Sequence, residues 1–336
     1  MDLPIYSDLP KLRKIPHVSL CTFPSPVERL FDQQATVWVK RDDLNSETFS
    51  GNKARTLEWL LAGVGPGDEV ITLGGEGSTH VLATALHTAR LGGTTRAWRW
   101  RHDMNPTAER IAALSAAACV EAPVVRTSLG AMVRATSYRF RHRVRYVPLG
   151  GSVAAGVLAH VNAALELAQQ IRDGVLPNPA SLVVPLGSGG TTAGLLLGLA
   201  IAKLDITVVG VQVTPWIVSN RWNVMRLVDD AAELIERVTG TRVRRPARER
   251  LRIRRDMYGG AYGKITPAAV DAARWAADVG GIMLDQTYTA KAFGAALAMA
   301  RAEAGAEAGA DTHAHATHNQ RPILFWNTFD GRILRP

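Results

Sequence analysis

Residues 183–198, VVPLGSGGTTAGLLLG, constrain the fold more tightly than any other stretch of the chain. A short apolar run meets three glycines, Gly187, Gly189 and Gly190, and passes at once into a second apolar run without a polar face. A strand that is apolar on both sides belongs inside a parallel sheet covered by helices. The same unit recurs. Strands are expected over residues 37–40, 69–73, 95–100, 181–185, 207–213 and 323–327. Helical spacing falls on residues 56–62, 78–91, 106–118, 156–172, 191–203, 267–279 and 289–304. This alternation predicts an α/β fold with mainly parallel strands.

With 336 residues and 47% hydrophobic content, the chain can bury a large core and is expected to form two lobes. Cys21 and Cys119 provide neither a disulfide framework nor metal-ligand spacing. The first twenty residues are broken by prolines and lack the apolar centre of a secretion signal, and no apolar run reaches membrane-spanning length. A cytoplasmic setting without a membrane partner is the expectation. The formal charge of +9 concentrates in residues 134–145, RATSYRFRHRVR, and 242–255, RVRRPARERLRIRR. The first alternates basic with apolar residues, as a half-exposed strand does; the second reads as a solvated helix or loop. Neither carries a nucleic-acid-binding signature, so no nucleic-acid partner is expected. Residues 304–320 are low in complexity, and His313, His315 and His318 lack acidic or cysteine companions, so a loop without metal is expected there.

Three strand-to-helix junctions can carry chemistry. In the first, Gly187, Ser188, Gly189, Gly190, Thr191 and Thr192 would present free backbone N–H groups and hydroxyls at the positive end of a helix. No lysine follows in the nucleoside triphosphate pattern, and Thr192 stands where the dinucleotide fingerprint needs a small residue, so a cradle for a single phosphate is favoured. The second junction, LGGEGSTH, sets Ser78, Thr79 and His80 at a helix start suited to a carboxylate, with packing as the plainer role for the histidine. The third, LDQTYTAKAF, sets Tyr288 beside Thr289. Lys53 follows Ser50-Gly51-Asn52 at a helix mouth, where the dipole disfavours its protonated form; a lysine that loses its proton near neutral pH can form a Schiff base.

In order along the chain, SGNKARTLE, GGEGSTH, YVPLGGSVAAGVLAHVNAALELAQQI, PLGSGGTTAGL and LDQTYTAKAF resemble the pyridoxal-phosphate-dependent family of 1-aminocyclopropane-1-carboxylate deaminase and D-cysteine desulfhydrase. The resemblance spans roughly residues 5–330 and implies a two-lobed tryptophan synthase β-like fold (fold type II) with parallel-rich sheets. It implies a large cofactor-binding domain of residues 1–53 and 151–336, a small domain of residues 54–150, and a homodimer. It further implies that Lys53 holds pyridoxal 5'-phosphate and moves the substrate α-proton, with Asn52 beside it. The 187–192 turn would take the phosphate, Ser78 with the N–H groups near Thr79 and His80 the substrate carboxylate, and Tyr288 would act over the site.

Within the family, Tyr288-Thr289 and Thr328 match the desulfhydrase branch. A threonine at the ring nitrogen, in place of a carboxylate, leaves that nitrogen mostly unprotonated and favours loss of a good β-leaving group over ring opening. Two departures stand out. Gly77-Ser78-Thr79 replaces a Gln-Ser-Asn run, which is expected to enlarge the local space. Asn327-Thr328-Phe329-Asp330 replaces HTGG, which is expected to bring Phe329 against the substrate. The expected function is therefore a lyase acting on a small β-substituted amino acid, releasing keto acid and ammonia. The alternatives are a β-substituting synthase and a silent, basic polyanion-binding protein.

Overall fold

A computed structural model describes residues 2–309 and 321–334. The chain opens with α1 (Pro4–Asp8), then β1 (Val27–Phe31), β2 (Thr36–Arg41) and α2 (Asn52–Leu60). There follow β3 (Glu69–Gly75), α3 (Thr79–Arg90), β4 (Thr94–Trp100), α4 (Pro106–Ala118), β5 (Val124–Val125), α5 (Ser128–Arg141) and β6 (Arg145–Tyr146). Next come α6 (Ala154–Arg172), β7 (Ser181–Leu186), α7 (Gly190–Ile201), β8 (Thr207–Gln212), α8 (Arg221–Thr239) and β9 (Leu251–Arg254). The chain closes with α9 (Pro267–Gly280), α10 (Thr289–Gly309) and β10 (Ile323–Asn327).

Two sheets result. One runs β1-β2-β10-β7-β8-β9 and the other β5-β4-β3-β6. All pairings are parallel except β1 with β2. The α/β class read from the sequence holds. Pleat alternation divides the core of the larger sheet. Leu182, Val184, Leu324 and Trp326 face one apolar cluster with residues of α6, α7 and α8, while Val183 and Phe325 face another with residues of α9 and α10. Strands buried on both faces are what the continuous apolar runs require.

Residues 134–145 are not a strand. Ala131, Ala135 and Tyr138 recur at helical spacing against the smaller sheet, and α5 runs to Arg141 before β6 begins at Arg145. The basic alternation covers too few residues to outweigh that buried stripe. Residues 242–255 are solvated as expected, but they end in β9, an edge strand on β8. The histidines His313, His315 and His318 lie outside the described residues.

In a parallel α/β sheet, ligands gather beyond the carboxyl ends of the strands. Two of the three expected junctions leave such ends, after β3 and β7; the third does not, because residues 281–288 follow α9 without a strand before α10 begins at Thr289.

Candidate active site

Beyond β7 the backbone turns through Gly187 and Ser188, adopts a left-handed conformation at Gly189, and enters α7 at Gly190. The first N–H groups of a helix have no intrahelical acceptor. Here they open at the positive end of α7, and the Thr192 hydroxyl beside them is buried without a hydrogen-bond partner. The turn is braced from outside. The Ser188 and Ser152 hydroxyls lie 2.7 Å apart, and the Asn223 amide donates to the Ser188 carbonyl at 3.0 Å. Ser188 shares its hydroxyl with Ser152, while Thr192 and the first backbone N–H groups are without partners as anion donors. Such a cradle suits one phosphate group.

Lys53 approaches the same turn from α2. Gly51, at φ 107°, precedes the helix, and a Cβ there would run into the Thr328 carbonyl. Only glycine permits that approach. The Asn52 backbone N–H donates to the Thr328 carbonyl at 3.2 Å, and the Asn52 side chain donates to Thr191 Oγ1 at 2.9 Å. Asn52 therefore ties the lysine's helix both to the end of β10 and to the phosphate turn. The half-buried Lys53 donates through Nζ to the Gly150 carbonyl at 3.0 Å. Burial lowers its pKa to about 8. Desolvation is the cause of that shift.

The turn after β3 places Ser78 at the N-cap of α3, yet its hydroxyl does not cap the helix. That hydroxyl and the first N–H groups of α3, from Thr79 and His80 onward, are free for a carboxylate. The His80 ring is not. It is buried, lies 3.0 Å from Thr72 Oγ1 on β3, and has a pKa lowered to about 3 by desolvation and then by Lys53. It serves as a neutral packing group. Gly77 does not enlarge the space, contrary to expectation: it sits at φ 72°, and α4 brings the Ala108 carbonyl to where a side chain would start. Phe329 likewise does not line the pocket. It packs in the core with Leu20, Phe49 and Leu57, so this departure from glycine is taken up by the interior.

At the third junction Asp285 accepts from the N–H groups of Thr287, Tyr288 and Thr289 and from the Thr289 hydroxyl. Tyr288, thus oriented, shares a hydroxyl–hydroxyl hydrogen bond with Tyr262. Burial raises both phenols, Tyr262 to about 12. Tyr262 was not singled out in the sequence; it lies in a glycine-rich loop, GGAYGK, that matches no helix or strand pattern. His102 meets the Tyr262 ring edge-on at 4.8 Å between centroids. Gly77, Thr79, His102, Tyr262, Asp285 and Tyr288 line one narrow cleft.

Residues 18–312 match the family described as pyridoxal-phosphate dependent enzyme. The chain belongs to this family. D-cysteine desulfhydrase of Salmonella paratyphi A is 31% identical over 297 residues, 84% of this chain and 87% of that protein. Nocardicin C-9' epimerase of Nocardia uniformis subsp. tsuyamanensis is 34% identical over 305 residues, 83% of this chain and 86% of that one. A solved structure of a 1-aminocyclopropane-1-carboxylate deaminase homologue superposes with a TM-score of 0.77 at 29% identity, covering 99% of both chains. The cofactor of the family is pyridoxal 5'-phosphate, and the residues present fit it. The orphaned Thr192 hydroxyl and the open end of α7 match its phosphate, and the lysine amine with its lowered pKa, tied to that turn through Asn52, matches its aldehyde.

Proposed function

We propose that the protein is a lyase that removes the α-proton of a small β-substituted amino acid and expels the β-substituent, releasing a keto acid and ammonia. The observation that carries this is the hydrogen-bonded link from the residue before Lys53 to the phosphate turn, through Asn52 and Thr191. It sets an amine with a pKa near 8 beside an anion site, as a cofactor bound at both ends requires. When bound, pyridoxal phosphate supplies an electron sink that makes the substrate α-hydrogen acidic.

The protein's own groups divide the remaining work. Ser78 and the N–H groups at the start of α3 hold the substrate carboxylate and so orient the α-hydrogen toward Lys53. Lys53, neutral above its lowered pKa, takes that proton. The Tyr288–Tyr262 pair stays protonated across physiological pH, because burial raises both phenols, and can hand a proton to the departing group. The match of Tyr288-Thr289 and Thr328 to the desulfhydrase branch supports elimination over ring opening, as does the similarity to the Salmonella desulfhydrase.

The reading also takes residues 1–53 and 151–336 as a large domain and 54–150 as a small one, in a cytoplasmic homodimer. The separate four-stranded sheet, all of whose strands fall within residues 69–146, supports the division. The absence of any helix long and apolar enough to cross a membrane, among the described residues, agrees with a setting away from the bilayer.

A panel of D- and L-amino acids with β-thiol, β-chloro or β-acyloxy substituents tests the proposal. Keto acid and ammonia released in equal amounts, without an added nucleophile, are expected. Recovery of the amino acid with an inverted α-centre and no keto acid would replace the lyase by an epimerase. A new amino acid formed only with an added thiol would replace it by a synthase.

A further inference from the structure

Strand β10 ends at Asn327, and the next three residues run against the loop that delivers Lys53. The Thr328 carbonyl accepts the Asn52 N–H at 3.2 Å, and Phe329 forms an isolated antiparallel bridge with Gly51. Asp330, 1% exposed, then accepts the Ser50 N–H at 2.9 Å through Oδ2. The Gly51 N–H donates to the Asp42 carbonyl at 2.8 Å. The three consecutive backbone donors before Lys53 are thus all held, and one of the acceptors is a buried carboxylate. A hydrogen bond to a carboxylate is stronger than one between neutral groups.

The carboxylate is itself held. Arg332 donates to Oδ1 through its backbone N–H at 3.0 Å and through Nε at 2.8 Å, and to Oδ2 through Nη2 at 2.6 Å. The same Nη2 reaches the Ser46 carbonyl at 2.6 Å and the Ser50 hydroxyl at 3.0 Å. Arg332 therefore grips both partners of the Asp330–Ser50 contact. Its side chain is exposed, so the ion pair adds little to stability and serves to aim the carboxylate. On the other side Phe329 is buried with Val70 of β3, Leu82 of α3 and Ile111 of α4, which fixes where Asp330 begins. Asp330 is not among the residues lining the cleft of Tyr262 and Tyr288. Any effect it has on the chemistry passes through the lysine's loop.

We propose that Asp330, aimed by Arg332, is a positioning residue for Lys53: its carboxylate clamps the Ser50 N–H and so sets where the amine emerges at the mouth of α2. This rests on the reading that Lys53 holds pyridoxal phosphate. Of the Asn327-Thr328-Phe329-Asp330 departure, Phe329 fills the core and Asp330 holds the loop. Placement is worth much here, because a displacement of about 1 Å in a reacting group can cost on the order of 10²-fold in rate.

The test compares Asp330→Ala, Asp330→Asn and Val70→Ala. Asparagine keeps a side-chain oxygen for the Ser50 N–H, and Val70→Ala loosens the same core without touching the clamp. In the apo proteins, competitive amine labelling across pH reads the titration of Lys53, near 8 in wild type. Asp330→Ala is expected to raise it by about one pH unit, as the amine gains water. Attachment of added pyridoxal phosphate, followed by absorbance, is expected to slow about tenfold, and kcat to fall about tenfold with KM little changed. Asp330→Asn is expected to recover most of both rates. Val70→Ala is expected to melt lower and keep the wild-type Lys53 titration. If Asp330→Ala lowers the melting temperature as Val70→Ala does and leaves Lys53 unmoved, the clamp is merely structural and the proposal falls. Asp330→Asn as impaired as Asp330→Ala overturns it too. Arg332→Gln, on an exposed side chain, keeps the test open should Asp330→Ala not fold: a smaller rise of the Lys53 titration is expected, and none would overturn the assignment. Failure of borohydride to fix a pyridoxyl group on Lys53 of the wild-type holoenzyme would instead remove the reading beneath it.

Discussion

At the scale of single residues, the chemistry turns on how a lysine is made neutral. The sequence places Lys53 at a helix mouth; in the structure, loss of solvent lowers the amine from 10.5 to about 8. The sign of the linkage follows. Between about pH 8 and 10.5 the unfolded chain binds more protons at this site than the folded one, so stability rises with pH across that window. Below pH 8 the apo protein carries the full cost of a charged amine in a half-buried place. Apo Lys53→Met is therefore expected to melt above apo wild type at pH 7, with the gap closing as pH approaches 10.5 in a thermal-shift series. A constant gap would place the cost outside the amine's titration. The motifs exposed Lys53, the phosphate turn and Tyr288 because each sits at a junction with a local signature. Tyr262 stayed hidden because its role comes from a hydrogen bond to another segment, and Asp285 because a carboxylate that caps its own turn follows no motif.

Among the elements, α4 shows how a cap can serve two purposes. Asn105 accepts from the Ala108 N–H at 2.9 Å and so caps α4. Its amide donates at 2.9 Å to the Thr287 hydroxyl and at 3.2 Å to the Gly263 carbonyl, beside Tyr288 and Tyr262 respectively. The start of α4 is thereby fastened across the cleft to the loops that carry both phenols. Serine keeps the cap but is too short to reach over. Asn105→Ser is expected to change stability by about 0.5 kcal/mol or less while raising KM several-fold, whereas Asn105→Ala should also lose the cap, at about 1 kcal/mol. Urea titrations and steady-state kinetics separate the two effects; unchanged KM in Asn105→Ser would deny the bridge a functional role. Most helices and parallel strands were readable from apolar spacing alone. The misreading of α5 has a physical source: its buried face is narrow and made of alanines, which carry little hydrophobic signal against the arginines around them.

Over the whole molecule, one buried charge network joins segments that are distant in sequence. Arg55, from the helix of Lys53, pairs with Asp42 at 2.6 Å and with Glu166 of α6 at 2.9 Å. Lys40 pairs closely with Glu166, and the Trp326 indole of β10 donates to Asp42 at 2.6 Å. Burial alone would raise the Glu166 carboxyl, but Arg55 and Lys40 hold it down at about 2. Its stabilising effect is therefore complete above pH 4.5 and is lost as pH falls toward 2. Glu166→Gln is expected to cost about 3–5 kcal/mol at pH 7, by leaving buried cations uncompensated, and to lose the part of the acid transition between pH 4.5 and 2. A small, pH-independent loss would mean that the network contributes little to holding α2 in place. The central claim is that this scaffold presents Lys53, and no other lysine, to the cofactor; Lys291, buried and also lowered to about 8, is its natural rival. Borohydride reduction of the holoenzyme followed by peptide mass spectrometry decides between them. A single pyridoxyl group on Lys53 is the expected result, and a label on Lys291, or no label at all, would contradict the account.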